Sequence, residues 1–274
     1  MRGVLSGILQ SGYSNGYLLA AVASRVLLPK LGWRWMFWLG ALPALLALYI
    51  RTKVPESEAW REHRVGSMRE MLRSIRSHAK GFIYLVVLMT FMMFLSHGTQ
   101  DLYPDFLKEF HGFKAAVAAN VAIIFNIGAV IGAIIFGQLS QRIGRRYSMI
   151  CALALSLLVM PMWAFGGSLV VLTVGAFLMQ MGVQGAWGII PVHLNELAPD
   201  AVRGLMPGLA YQLGILIASP VNSIQHGLRD RVGYSWALAG FEAVVMVVLT
   251  VVLLLGRENH GRAFHSGDLL IEKE

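Results

Sequence analysis

The chain has 274 residues, of which 56% are hydrophobic and 14% charged, with a formal net charge of +8. Soluble domains carry about 25% charged residues, so the composition excludes a soluble enzyme and predicts an all-α, polytopic membrane protein. The single cysteine, Cys151, lies in an apolar run and excludes a disulfide framework or a cysteine metal site; no cofactor is expected.

A helix that crosses a bilayer needs about 20 largely apolar residues. Eight stretches are predicted to do so, over 4–27, 33–50, 81–104, 115–138, 147–165, 168–190, 204–225 and 234–255. The first has no cleavage site and is expected to remain as a span. Between the second and third lies the one long polar break, roughly 52–80, rich in Arg, Glu and Ser. A short amphipathic helix over Ser67–His78 is expected there, lying at the interface. The remaining connections are short and predict antiparallel hairpins. If the N-terminus is cytoplasmic, one side of the membrane receives Arg2, the eight basic residues from Arg51 to Lys80, Arg142, Arg145, Arg146, Arg203, Arg257, Arg262 and Lys273. Arg25, Lys30, Arg34, Lys108, Lys114, Arg229 and Arg231 fall toward the other. This bias predicts a multi-pass protein of the cell membrane with both termini cytoplasmic. The basic 51–80 segment then reads as an orienting loop that touches anionic lipid, and no nucleic-acid partner is expected.

An internal repeat runs through these spans. Arg2-Gly3-x-x-x-Gly7 recurs as Arg203-Gly204-x-x-x-Gly208, and Gly32-Trp33-Arg34-Trp35 matches Gly233-Tyr234-Ser235-Trp236 at the same offset. Spans one and two are thus read as copies of spans seven and eight, starting on the same side of the membrane. With a unit of six spans, residues 81–256 form a complete six-helix half and 1–51 the last two spans of another. Residues 52–80 form the central loop and 257–274 a cytoplasmic tail. The expected bundle therefore lacks four N-terminal spans.

Three motifs carry chemistry. Ser96-His97-Gly98-Thr99-Gln100-Asp101 stands at the far end of the third span. Ionisable residues at membrane depth mark ion, proton or substrate paths, histidine changes charge near neutral pH, and His97 and Asp101 share a helix face. The alternative is that the two merely satisfy each other at the outer rim. Gly137-Gln138-Leu139-Ser140-Gln141-Arg142-Ile143-Gly144-Arg145-Arg146 joins spans four and five, its glycines suited to a tight turn and its arginines to acids or helix C-termini. Glu196-x-x-Pro199-x-x-x-Arg203 precedes span seven. Arg142, Arg145, Arg146, Glu196 and Arg203 are candidates for a conformational latch, with Glu196 pairing to Arg142 or Arg145. The alternatives are an orienting basic loop and a solvated acid.

The loop resembles the major facilitator signature G-x-L-a-D-R-x-G-R-R, with Gln141 where aspartate is usual. A closer resemblance rests on Arg2 to Tyr13, on Pro55-Glu56-Ser57-Glu58-Ala59-Trp60, on Ser96 to Asp101 and on Trp187 to Glu196. These stretches resemble the sialate:proton symporter family, which includes the fungal lactate and pyruvate permeases. Its signature is N-x-x-S/T-H-x-S/T-Q-D-x-x-x-T, with Met93 and Asp105 standing here at the first and last positions. The resemblance implies a major facilitator bundle and proton-coupled symport of a small organic anion such as lactate, pyruvate or sialate, by alternating access. It further implies that His97, Gln100 and Asp101 serve proton coupling and carboxylate binding. A carboxylate needs positive charge or donors, and protonated His97 is the one cationic candidate inside spans three to six, with Ser96 and Thr99 as donors. Gln180, Gln184 and Trp187 on span six and Asn126 on span four are added as cavity-lining candidates. So are Gln10, Asn15, Tyr211, Gln212 and Asn222; for every one of these nine, interhelical hydrogen bonding is the alternative. The Gly7-Gly12-Gly16 and Gly128-Gly132-Gly137 series predict close helix packing. A membrane scaffold, or a remnant without activity, is the rival reading; neither H-E-x-x-H nor a serine–lysine constellation supports an intramembrane enzyme.

Overall fold

The computed structural model describes residues 2–53, 73, 75–199 and 202–259. Every one of the eight predicted spans falls on helix. We number the helices α1 (Arg2–Val26), α2 (Trp33–Lys53), α3 (Ala79–Gln100), α4 (Ala115–Ile143), α5 (Arg145–Phe165) and α6 (Leu169–Trp187). They continue as α7 (Ile190–Leu197), α8 (Met206–Ala218), α9 (Val221–Val232) and α10 (Tyr234–Leu255). Backbone polar groups cannot go unpaired in hydrocarbon, and helices pair all of theirs internally. Most of Ser67–His78 and of 257–274 lies outside the described residues.

Among the described residues, six helical runs are long and apolar enough to cross a membrane: Trp33–Lys53, Ala79–Phe110, Ala115–Ile143, Arg145–Phe165, Leu169–Leu197 and Tyr234–Leu255. Two of them correct the predicted boundaries. The third span does not stop near residue 104; α3 continues through a helical turn at Tyr103–Asp105 and a π-helical turn at Phe106–Phe110. Tyr103 anchors this continuation, stacking on Trp163 with ring centroids 5.2 Å apart and its hydroxyl 3.1 Å from the carbonyls of Trp163 and Leu172. The sixth span likewise runs on past Gly188 through α7 to Leu197. The other two predicted spans are weaker. Gln10, Ser11, Ser14 and Asn15 dilute the hydropathy of α1, and the seventh span is split between α8 and α9 at Ser219–Pro220.

The core sits where α3, α4, α5, α6, α8 and α10 meet, with Met89, Met92, Leu153, Met179, Val183 and Met246 fully buried. Without a hydrophobic force between helices in lipid, small residues decide how closely backbones approach. A Cβ on Gly128 or Gly132 would stand 2.4 Å from the Phe177 carbonyl oxygen or 1.9 Å from that of Met181, so α6 lies directly on α4. Gly7 and Gly137 seat α1 on α4 in the same way, the former with only 2.3 Å to the Ala133 carbonyl oxygen. Gly12 and Gly16 depart from the expected series: nothing described lies within 4 Å of a Cβ there.

Two turns that the repeat matches have the same backbone sign. Gly32 and Gly233 have φ of +77° and +86°, and each stands immediately before a helix, as does Gly144 with φ of +91°. A left-handed residue closes the turn there at no steric cost only when it is glycine.

Candidate functional site

The signature fills the last turn of α3, and Asp101 caps it. Because the chain stays helical to Phe110, the motif lies within the helical run and not at its rim. His97 Nδ1 is 3.0 Å from Asp101 Oδ2, one helical turn on, and the Asn222 amide of α9 donates to the same oxygen at 3.4 Å. The His97 side chain keeps 35% of its surface and Asp101 20%, so this pair is open on one side. Tyr13 and Tyr17 of α1 lie within electrostatic range of Asp101, their rings 5.5 Å apart, and Tyr13 also within range of Tyr211. Tyr211 meets Trp187 edge-on at 6.1 Å, and the Trp187 indole donates to the Met92 carbonyl at 3.2 Å. Tyr13 and Tyr17 thus bring aromatic rings of α1 close to the pair, and Tyr211 and Trp187 extend the aromatic group onto α8 and α6.

The other predicted binding residues do different work in this conformation. Gln180 Nε2 donates to Thr99 Oγ1 at 3.0 Å, and Gln184 Nε2 donates to Ser96 Oγ at 3.3 Å. Gln100 Nε2 donates to the same Ser96 oxygen at 3.1 Å, while Thr99 donates back to the Leu95 carbonyl at 2.7 Å. All five side chains are buried. They form a polar seam between α3 and α6, the interhelical alternative weighed for such residues. The seam is not saturated: Gln180 Oε1 and Gln184 Oε1 are buried and accept from nothing described. Asn126 stands apart, buried and bonded to the Ala122 carbonyl of its own helix at 2.8 Å.

A second cluster lies at the end of the bundle where α4 turns into α5 through Gly144 alone. Arg145 Nε and Nη2 grip both oxygens of Glu196 at 3.0 and 2.9 Å, and Arg145 Nη1 donates to Ser140 Oγ at 2.8 Å. The pair is 1% and 0% exposed. Planar two-point contact of this kind is what guanidinium does best. Arg146 donates to the carbonyls of Leu253 and Leu254, closing the C-terminus of α10, and its backbone N–H donates to Glu258 at 2.9 Å. Arg203 Nε reaches the Asn195 carbonyl at 3.1 Å. Of the two partners open to Glu196, the fold selects Arg145; Arg142 is exposed. Gln141 faces the Gly3 backbone N–H and Arg145, which brings α1 into the cluster.

Sequence reasoning missed Glu242. It is the one acidic residue of α10, fully buried, with neither carboxyl oxygen bonded to anything described. The signal was available, since an acid in an otherwise apolar span is a functional candidate by default. Gln225 of α9, whose Nε2 donates to the Gly98 carbonyl at 2.9 Å, was missed as well. Among the described residues no group of three or more His, Cys, Asp and Glu could hold a metal ion.

Comparison with known proteins gives this arrangement its family. Residues 80–259 match the family model for sugar (and other) transporters, and residues 1–119 match the Major Facilitator Superfamily model. Among curated relatives, the chain is 30% identical to a carboxylic acid transporter protein homolog of Saccharomyces cerevisiae, covering 84% of this chain and 42% of that one. It is also 30% identical to the sialic acid transporter NanX of Escherichia coli, covering 94% of this chain and 64% of that one. The chain therefore spans about two fifths to two thirds of the length of these relatives. The fold is similar to that of the proton:xylose symporter XylE bound to 6-bromo-6-deoxy-D-glucose, with a TM-score of 0.75, 17% identity and coverage of 98% and 67% of the two chains. The chain belongs to the sugar (and other) transporter family of the major facilitator superfamily and is a multi-pass membrane protein.

Proposed function

We propose that this chain works as a secondary active transporter that couples the movement of a small organic anion to that of a proton. The observation that carries this reading is the His97–Asp101 pair: two titratable groups within a helical run long and apolar enough to cross a membrane, bonded to each other and open on one side. A protonated imidazole supplies positive charge for a carboxylate, and loss of its proton to Asp101 or to water withdraws that charge. Binding and proton occupancy are then linked through one hydrogen bond. Asn222 fixes the carboxyl group, and the Tyr13 and Tyr17 hydroxyls are donors near Asp101. Relatives matched over the same residues are named as transporters of carboxylic and sialic acids, which favours a monocarboxylate or a sialate over a neutral sugar. It also favours transport over a scaffold role, which has no use for buried titratable groups.

In this reading Arg145–Glu196, with Ser140, Arg146 and Arg203, is the latch that holds the α4–α5 turn to α7 in one of the alternating states. The distribution of basic residues supports placing that cluster, and both termini, on the cytoplasmic side of the cell membrane. Residues 81–256 then act as one six-helix half, with α1 and α2 belonging to the other. The test is uptake of labelled lactate and labelled sialate into liposomes holding the purified chain, under an inward proton gradient. Gradient-driven accumulation that disappears in His97→Ala is expected. Uptake indifferent to the gradient and to that substitution overturns the proposal.

A further inference from the structure

Gly98 lies within the signature, beside His97, and the far side of α3 meets Glu242 there. A Cβ built on Gly98 would stand 1.8 Å from Glu242 Oε1 and 3.0 Å from Gln225 Nε2. The carboxyl of α10, the amide of α9 and the backbone of α3 therefore converge on one spot. The Gln225 amide nitrogen is used by the Gly98 carbonyl, but its Oε1 is buried without a donor. Both Glu242 oxygens are in the same condition. Three acceptor oxygens short of a donor in one dry place lack a hydrogen, and a protonated carboxyl supplies one where a carboxylate supplies none.

The surroundings offer no other way to compensate a charge. On α3, His97 and Asp101 are engaged with each other and with Asn222. The stretch of α5 after Cys151 contains no ionisable side chain. On α9, His226, Arg229, Asp230 and Arg231 make no hydrogen bond to Glu242, and no other described group does. An isolated carboxylate buried without partner or hydrogen bond is strongly disfavoured, so such a group takes up a proton.

We propose that Glu242 is a second proton-binding carboxyl of this chain, loaded in the conformation seen here and unloaded when α3 and α10 separate at Gly98. The contact makes proton occupancy depend on helix position. While Gly98 covers Oε1, water is excluded and the proton stays; when α3 moves, water reaches the carboxyl and can accept it. This goes beyond the His97–Asp101 mechanism and rests on the transporter reading for its coupling half alone.

The site itself is tested without any substrate. Infrared spectra of the full chain in lipid should show the carbonyl band of a protonated carboxylic acid at neutral pH. That band should be missing in Glu242→Gln, present in Asp101→Asn, and shifted when the wild-type chain is made with carboxyl-labelled glutamate. The isotope shift needs no variant, so a folding defect in Glu242→Gln leaves the test intact. Absence of the band, or its persistence in folded Glu242→Gln, overturns the site. For coupling, Glu242→Gln should lose accumulation of labelled lactate or sialate under a proton gradient while keeping exchange of labelled for unlabelled solute across equal pH. Accumulation equal to wild type overturns the coupling half. A wild-type chain that moves neither solute refutes the transporter reading instead, and the infrared result still decides the site.

Discussion

Two acid–base pairs in this chain are built from the same chemistry and finished differently. Arg145–Glu196 is sealed: both side chains are buried, the contact is two-point, and Ser140 takes the remaining guanidinium nitrogen. His97–Asp101 is unfinished: one contact, a long hydrogen bond from Asn222, and a side left open. A sealed pair fixes a geometry, because removing either charge strands the other in a dry site. An open pair can exchange protons and ligands, because neither member depends wholly on the other. Under the proposed function, the contrast would separate a residue pair that holds a state from one that responds to its ligand.

The sharpest way to break the comparison is to remove one member of each pair. Glu196→Gln or Arg145→Met leaves an uncompensated buried charge and should destabilise the chain by about 3–5 kcal/mol. Thermal unfolding in detergent measures it. The double substitution should be milder than either single one, since it strands no charge. Equal or greater loss in the double variant would show that the pair matters for more than charge balance. His97→Gln should instead lower stability by less than about 1 kcal/mol, because a half-open pair is worth little. It should nevertheless abolish gradient-driven uptake. If His97→Gln unfolds the chain as Glu196→Gln does, the division of labour between the pairs is wrong.

Packing sharpens the comparison from the side. A Cβ on Gly3 would stand 2.6 Å from Arg145 Nη1 and 2.5 Å from both the Gln141 side-chain amide and the Gly137 carbonyl oxygen. Gly3→Ala should therefore push α1 off the sealed cluster, at a cost of about 1–3 kcal/mol in the same melting experiment. It should leave the infrared band of the Glu242 carboxyl unaltered, because the Gly98–Glu242 contact is made by α3 and α10 and not by α1.

Much of this architecture was legible in the residues alone. The spans follow from apolar length, the His97–Asp101 bond from a spacing of one helical turn, and the family from the 96–101 and 137–146 motifs. Gly32 and Gly233, matched by the repeat, share a positive φ before a helix, as does Gly144 outside it. What escaped was direction. A helix apolar on all sides has no polar face to announce which way it is turned, so Gln180 and Gln184 could be placed on a span but not assigned to the seam with Ser96 and Thr99. Gly12 and Gly16 fit a packing series by spacing, yet no described neighbour meets them. The break at Pro220 was in plain view and read through, because the apolar run continues across it. Glu242 was passed over for want of a local motif; its meaning comes from Gly98, on a helix far away in the chain.

The smallest predicted effect falls on a neighbour of the largest. Arg142 and Arg145 sit three residues apart in the same basic loop and look interchangeable as partners for Glu196. The fold gives one of them a buried two-point contact and leaves the other exposed. Arg142→Gln should change stability by no more than about 0.5 kcal/mol, as for surface positions generally, and should leave gradient-driven uptake intact. A loss of uptake with stability preserved would mean that Arg142 takes over Glu196 in the opposite state of the transport cycle. The latch would then be a handover between two arginines, with Gly144 between them as the point about which the exchange turns.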